Sequence, residues 1–88
     1  MIQEIVTVAA VEGFHARPAT EFAKACTGVA AVVKVSKSGS DPVRGDSVLS
    51  LMTLGAKQGD RLLIQVSGEQ EETLLEQLKS IVCAVASH

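Results

Sequence analysis

The residues best suited to chemistry lie in the stretch Gly-Phe-His-Ala-Arg-Pro-Ala-Thr, residues 13–20, which holds one of the two histidines of this 88-residue chain. Pro18 has no backbone N–H, so a helix accepts it only in its first turn. A helix is therefore predicted to begin near Ala16. His15 would then lie at the N-cap or just before it, beside backbone N–H groups that have no partner within the helix.

These residue types together favour the handling of a phosphoryl group. Free N–H groups at a helix N-terminus bind anions, and Arg17 adds a positive charge whose paired donors match phosphate oxygens. The positive end of the helix disfavours imidazolium, which keeps the His15 ring neutral and nucleophilic near neutral pH. We interpret the stretch as a place where His15 carries a phosphoryl group. The alternative, a surface capping histidine beside a solvated arginine, is not excluded by this spacing alone.

The surrounding sequence predicts the elements that hold this stretch. Alternating or continuous apolar residues indicate strands, and apolar residues at helical spacing, followed by glycine stops, indicate helices. Pro42 would restrict the short third strand to an edge of the sheet. The predicted strands cover residues 2–8, 30–37, 43–45 and 60–68, and the predicted helices cover residues 16–28, 46–55 and 69–88.

The element order β-α-β-β-α-β-α predicts an α+β fold in a single domain spanning residues 1–88. Each helix has one apolar face, so the helices should pack together on one side of the sheet. The short turn between the second and third strands makes that pair antiparallel. We expect an open-faced two-layer sandwich, with a four-stranded antiparallel sheet and three helices on one face.

Composition argues against several functional classes. The net charge is −2 and there is no Trp or Tyr, which disfavours nucleic-acid binding because phosphates need basic groups and bases need exposed rings. No apolar run reaches the ~18–20 residues of a membrane helix, and the N-terminus does not resemble a signal peptide. Cys26 and Cys83 show no metal-ligand spacing, and we expect two free, buried thiols in a cytoplasmic protein without metal or cofactor.

Two motifs make the chain similar to a known family. "GFHARPAT" resembles the Gly-x-His-Ala-Arg-Pro-Ala signature of HPr, the histidine-containing phosphocarrier of the bacterial sugar phosphotransferase system. "DSVLSLMTLG" is similar to the second signature of that family, around a regulatory serine, and "SGEQEETLLEQL" resembles its entry into the last helix. The resemblance covers nearly the whole chain, and the family has the same element order.

The resemblance implies a function for individual residues. His15 would accept a phosphoryl group on Nδ1 from phospho-Enzyme I and pass it to IIA proteins or domains of sugar permeases. Arg17 would stabilise the phosphate, while Ala16 and Pro18 support the helix start. Ser47 matches the serine that a dedicated kinase phosphorylates, and a phosphorylase reverses, in many Gram-positive relatives. The face that docks partners would consist of Thr20, Val48, Leu49, Leu51 and Met52.

The chain also departs from the family pattern near Ser47. Asp46 stands where regulated relatives often carry lysine, and it would repel a new phosphate on its neighbour. The segment between the second and third strands is one residue longer than is usual and contains Pro42. Ser47 is therefore interpreted either as a regulatory site or as a helix cap only.

Several alternatives remain open from sequence. The chain could be the carrier of the nitrogen-related phosphotransferase system, a regulatory binding module of the HPr type, or an unrelated α+β adaptor domain. In the leading interpretation it is a carrier, not an enzyme, because the sequence shows no metal cluster near His15. We expect a monomer, because a carrier must present one face to several partners in turn. We expect it to bind neither nucleic acid nor membranes directly.

Overall fold

The computed structural model describes residues 1–9, 13, 16–37 and 39–83. Across these residues the chain forms four strands and three helices in the predicted order. They are β1 (Ile2–Thr7), α1 (Ala16–Thr27), β2 (Ala31–Lys37), β3 (Val43–Arg44), α2 (Val48–Met52), β4 (Arg61–Gly68) and α3 (Glu71–Cys83).

The strands form one sheet in the order β1-β4-β2-β3, and every neighbouring pair is antiparallel. β4 and β2 occupy the centre and are joined in register from Ala31↔Gly68 to Lys37↔Leu62. β3 holds the edge through only two residue pairs with β2. The edge position predicted from Pro42 is confirmed, since proline cannot donate a ladder hydrogen bond to a further strand.

The two faces of the sheet differ sharply. Along β4, Leu62, Ile64 and Val66 are fully buried, whereas the alternate residues Leu63 and Gln65 are partly exposed. The buried side packs against apolar residues of the three described helices in a single cluster. The predicted fold, an open-faced α+β sandwich with an antiparallel sheet, is confirmed.

The helix ends follow from local sequence. α1 begins at Ala16 and ends at Thr27, just before Gly28, as the proline and glycine positions predicted. α3 begins at Glu71 with two acidic residues in its first turn, where they meet the positive end of the helix dipole. The predicted extension of this helix over residues 84–88 lies outside the described residues. None of the described helices is long and apolar enough to cross a membrane.

The two thiols have different environments. Both are free, as predicted. Cys26 is buried in the core, and this burial, with a smaller effect of the Asp46 carboxylate, raises the pKa of its thiol to about 12. Cys83 was expected to be buried and is exposed. It follows Val82, which faces the core, and a helix turns by about 100° per residue, so Cys83 lies at the border of the core, where its thiol donates to the Thr7 carbonyl at 3.8 Å.

Candidate functional site

The N-terminus of α1 lies at Ala16, where the sequence predicted the helix to begin. Ala16 and Arg17 are exposed, and Pro18 is the third residue of the helix, within its first turn. The Thr20 hydroxyl donates to the carbonyl oxygen of Ala16 at 2.7 Å, which ties the first turn together. His15 itself lies outside the described residues, so its role as phosphoryl acceptor stays a prediction, as does the role of Arg17.

Gly13, two residues before His15 in the sequence, lies in a tightly packed position. It is buried and has a φ of 77°, a left-handed conformation that only glycine adopts without strain. A Cβ atom at this position would lie 2.5 Å from the carbonyl oxygen of Ala56 and 3.0 Å from the Cα of Lys57. Gly13 therefore packs directly on the backbone that follows α2. The sequence shows the glycine, but its partner at Ala56 is visible only in the fold.

Hydrogen bonds hold the chain as it leaves β1. The backbone N–H of Val8 donates to the Asp60 carbonyl, and Gly59 donates back to the Val8 carbonyl, both at 2.9 Å. The Gln58 side-chain amide also donates to the Ala9 carbonyl at 3.3 Å. These contacts extend the β1–β4 pairing beyond the strands and fix the base of the segment before α1.

Ser47 caps α2. Its backbone is extended, with φ −120° and ψ 115°, and its hydroxyl accepts a hydrogen bond from the backbone N–H of Ser50 at 3.2 Å. This is the N-cap arrangement that satisfies one of the otherwise unpartnered N–H groups at a helix start. The prediction that Ser47 caps the short helix is confirmed. Whether it is also modified stays a prediction.

The residues of α2 divide between surface and core. Leu49 is 77% exposed and Met52 is 45% exposed, which confirms that these two apolar side chains face outward. Val48 is half-buried. Leu51 is only 1% exposed and belongs to the core, so its assignment to the docking face is wrong. Successive helical residues point about 100° apart, and this one-and-a-half-turn helix places Leu51 on its inner side.

Arg44 and Asp46 form a charge pair that the sequence analysis missed. The Arg44 Nε donates to Asp46 Oδ1 at 3.0 Å and its Nη2 to Oδ2 at 2.9 Å. This hydrogen-bonded pair holds the pKa of the Asp46 carboxyl below its usual value. The charge expected to repel a phosphate on Ser47 is thus partly neutralised by its neighbour. The Arg-x-Asp spacing was visible in the sequence, but the two side chains can form both hydrogen bonds only because the chain turns after β3.

The elements that carry these residues lie together. α1 contacts both α2 and α3, and α2 contacts β3. The exposed residues at the start of α1 and the exposed leucine and methionine of α2 therefore belong to neighbouring helices on the helical side of the sheet. Among the described residues, no group of three histidine, cysteine or acidic side chains could hold a metal ion. The described surface thus combines the exposed start of α1 with exposed apolar side chains on the neighbouring α2.

Comparisons with known proteins agree on one family. The model of the PTS HPr component phosphorylation site family matches residues 2–83. The chain is 35% identical over 82 residues to the phosphocarrier protein HPr of Streptomyces coelicolor, and this match covers 93% of the chain and 88% of that protein. A 32% identical match over 76 residues covers 86% of the chain but 9% of the multiphosphoryl transfer protein of Xanthomonas campestris.

The fold gives the same result. The phosphocarrier protein HPr of Bacillus anthracis superimposes with a TM-score of 0.84 and 30% identity, covering 92% of this chain and 95% of that one. The matches span most of the chain in both sequence and structure, so an unrelated adaptor domain is no longer an alternative. The chain belongs to the HPr family of phosphocarrier proteins of the phosphotransferase system.

Proposed function

We propose that the chain accepts a phosphoryl group on His15 from phospho-Enzyme I and passes it to IIA proteins or domains of sugar permeases. The observation that carries this proposal is the start of α1 at Ala16, immediately after His15, with Arg17 exposed in its first turn. The backbone N–H groups of a helix start and a guanidinium next to a histidine in sequence suit a phosphoryl group.

The transfer needs only a nucleophile and an anion site. The neutral Nδ1 of His15 attacks phosphorus, a new N–P bond forms, and the bond between phosphorus and the donor group of Enzyme I breaks with its electron pair. The positive end of α1 and Arg17 stabilise the charge on the phosphoryl oxygens. In the second step, a nucleophile of the IIA protein attacks the same phosphorus. The N–P bond then breaks and its electron pair returns to Nδ1, which regenerates neutral His15. The chain acts as a carrier in this scheme and completes no turnover alone.

The apolar surface of α2 supplies the docking face. Leu49 and Met52 are exposed on α2, Val48 is half-buried on the same helix, and Thr20 is exposed on the neighbouring α1; we take these four residues as the docking face. An exposed apolar patch of this kind on a small protein is typical of a protein-binding surface. Donor and acceptor would use the same patch, so their binding would be mutually exclusive.

Ser47 is the proposed site of regulation, by a serine kinase and a phosphorylase. A phosphate on the N-cap would meet the positive end of α2 and would not unfold the helix. It would place about two negative charges beside Val48 and Leu49, where a partner needs an apolar contact. The pairing of Asp46 with Arg44 reduces the repulsion that Asp46 alone would exert on that phosphate.

A two-stage transfer assay tests the function. The protein is first incubated with Enzyme I and phosphoenolpyruvate that carries a labelled phosphoryl group. It is then separated from both and mixed with a IIA domain. We expect label to enter the protein in the first stage and to leave it for the IIA domain in the second. Label that enters but never leaves would favour a regulatory binding module over a carrier.

A further inference from the structure

The outer face of the sheet, opposite the helices, is an uncovered surface with its own pattern of charge and apolar groups. Ile5 on β1 and Val32 on β2 are each 62% exposed, and Leu63 on β4 is half-buried beside Ile5. Val32 lies opposite Ser67, four residues from Leu63 along β4. Ile5 and Leu63 are direct partners in the β1–β4 register. Ile5 and Leu63 form an apolar pair on the face of the sheet opposite the helices, away from the docking face on α2.

The charge of this face is opposite to that of the whole chain. Its strand positions carry Lys34, Arg44 and Arg61, while the chain has a net charge of −2. Glu4 is the strands' single carboxylate, and it points to the helical side, where it binds Lys79 at 2.7 Å. The outer positions of the four described strands therefore carry cations and no carboxylate.

Two of these cations have no counter-charge. Arg44 is held by Asp46 at the edge of the sheet, and nearby Lys37 lies 3.7 Å from Asp60. Lys34 and Arg61 are exposed and make no ion pair with any described residue. Cations that are left unpaired beside exposed apolar side chains complement a partner surface that is both acidic and apolar.

The register fixes the spacing of these groups. Lys34 lies opposite Gln65, and Arg61 lies four positions from Gln65 along β4, about 13 Å at the ~3.3 Å rise of a strand. Leu63 is midway between them on the same face. A depression of about 350 Å³, whose lining includes Ile5, Leu63 and Arg61, opens at this point.

We propose that the outer face of the sheet binds an extended acidic segment of a partner protein, with the pattern acidic-x-apolar-x-acidic. In an extended chain, residues i, i+2 and i+4 share one face and span about 13 Å, close to the ~14 Å between the backbones of Arg61 and Lys34 when the ~4.8 Å spacing of neighbouring strands is included. The central apolar side chain would enter the depression beside Ile5 and Leu63. The two flanking carboxylates would then meet Arg61 and Lys34.

Other occupants fit less well. A second copy related by a two-fold axis would set this face against itself, bringing like charges together. Membrane recruitment by electrostatics uses clusters of about 4–8 basic residues, and the face has two unpaired ones. Nucleic acid needs a larger basic excess. An acidic protein segment is the occupant that the charge and the spacing favour.

Titration of the ¹⁵N-labelled protein with a blocked peptide, Glu-Thr-Leu-Thr-Glu, tests the proposal. We expect amide shifts at Ile5, Val32, Lys34 and Leu63, and none at Leu49 and Met52. The peptides Gln-Thr-Leu-Thr-Gln and Leu-Glu-Glu-Thr-Thr, which lack the charge or the spacing, should bind at least about fivefold more weakly.

Variants identify the cations. Lys34→Glu and Arg61→Glu should each weaken binding at least about fivefold, whereas Lys24→Glu, an exposed cation on α1, should not. If a charge reversal impairs folding, Lys34→Gln and Arg61→Gln replace these variants in the binding test. All should accept a phosphoryl group at the parental rate, which separates this proposal from the carrier function.

Four outcomes would overturn the proposal. In the peptide titration, they are the absence of amide shifts on the outer face at millimolar peptide and equal binding of the uncharged peptide. In sedimentation experiments, they are a dimer that Lys34→Glu abolishes, and co-sedimentation of the protein with phosphatidylglycerol vesicles in place of peptide binding.

Discussion

Leu49 and Leu51 lie two residues apart on α2 and have opposite environments: 77% of Leu49 is exposed and only 1% of Leu51. The pair separates the two tasks of this short helix. Leu51 joins α2 to the core, and Leu49 presents an apolar side chain to solvent. Because both are leucines on one helix, they are matched probes of stability and of binding.

Truncation of each leucine should therefore affect a different property. Leu51→Ala removes a core side chain and should lower the free energy of unfolding by roughly 2–5 kcal/mol. Leu49→Ala should change stability by less than about 0.5 kcal/mol but weaken association with Enzyme I. Urea unfolding and titration calorimetry measure the two effects. If Leu49→Ala binds Enzyme I as the parent does, α2 is not the docking face.

Gly13 should tolerate alanine far less than a glycine with the same backbone conformation elsewhere. Gly39 has a φ of 85° with no atom within 4 Å of a built Cβ, whereas at Gly13 the Cβ would collide with Ala56. Gly39→Ala should lower the free energy of unfolding by only about 1–2 kcal/mol, because alanine is strained in the left-handed conformation. Gly13→Ala adds overpacking, for a total of roughly 2–5 kcal/mol, and should slow phosphorylation of His15.

Thermal unfolding and phosphorylation rates of the two glycine variants provide the measurement. Equal losses of stability would show that the contact between Gly13 and the Ala56 backbone is unimportant. A larger stability loss in Gly13→Ala than in Gly39→Ala, with an unchanged phosphorylation rate, would show that this contact holds the fold but does not position the site.

The two thiols should react at very different rates. The pKa of Cys26 is raised to about 12, and since the thiolate is the reactive form, raising the pH to about 9 should still leave Cys26 unreactive in the folded state. Cys83 is exposed and should react promptly. One fast equivalent with a disulfide reagent, a second only on unfolding, and no fast equivalent in Cys83→Ser are expected. Two fast equivalents in the folded protein would contradict the burial of Cys26.

Ser47→Asp separates capping from regulation. Aspartate is also a good N-cap, so the thermal stability of Ser47→Asp should equal that of the parent. The added charge beside Val48 and Leu49 should slow phosphorylation of His15 by Enzyme I. Ser47→Ala provides the control. Because Ser47→Ala lacks the capping hydroxyl, its free energy of unfolding should be lower by about 1 kcal/mol. Its His15 should still be phosphorylated at the parental rate. If Ser47→Asp is phosphorylated at the parental rate, Ser47 is a cap and nothing more.

The fold was predictable because its signals are local. Pro18 marks the start of α1, Gly28 its end, and Pro42 the edge strand, and each acts through its own backbone. The errors and omissions concern tertiary contacts instead. Helical spacing could not tell which side of α2 Leu51 occupies, or that Cys83 is exposed. The Arg44–Asp46 pair and the contact of Gly13 with Ala56 depend on turns whose geometry the sequence does not specify.

The most direct test of the central claim uses the two histidines of the chain. The protein, His15→Ala and His88→Ala are each incubated with Enzyme I and phosphoenolpyruvate, and their intact masses are measured before and after acid treatment. We predict that the parent and His88→Ala gain one phosphoryl group that acid removes and base does not, and that His15→Ala gains none. An acid-labile phosphoryl group on His15→Ala would contradict the assignment of His15 as the carrier.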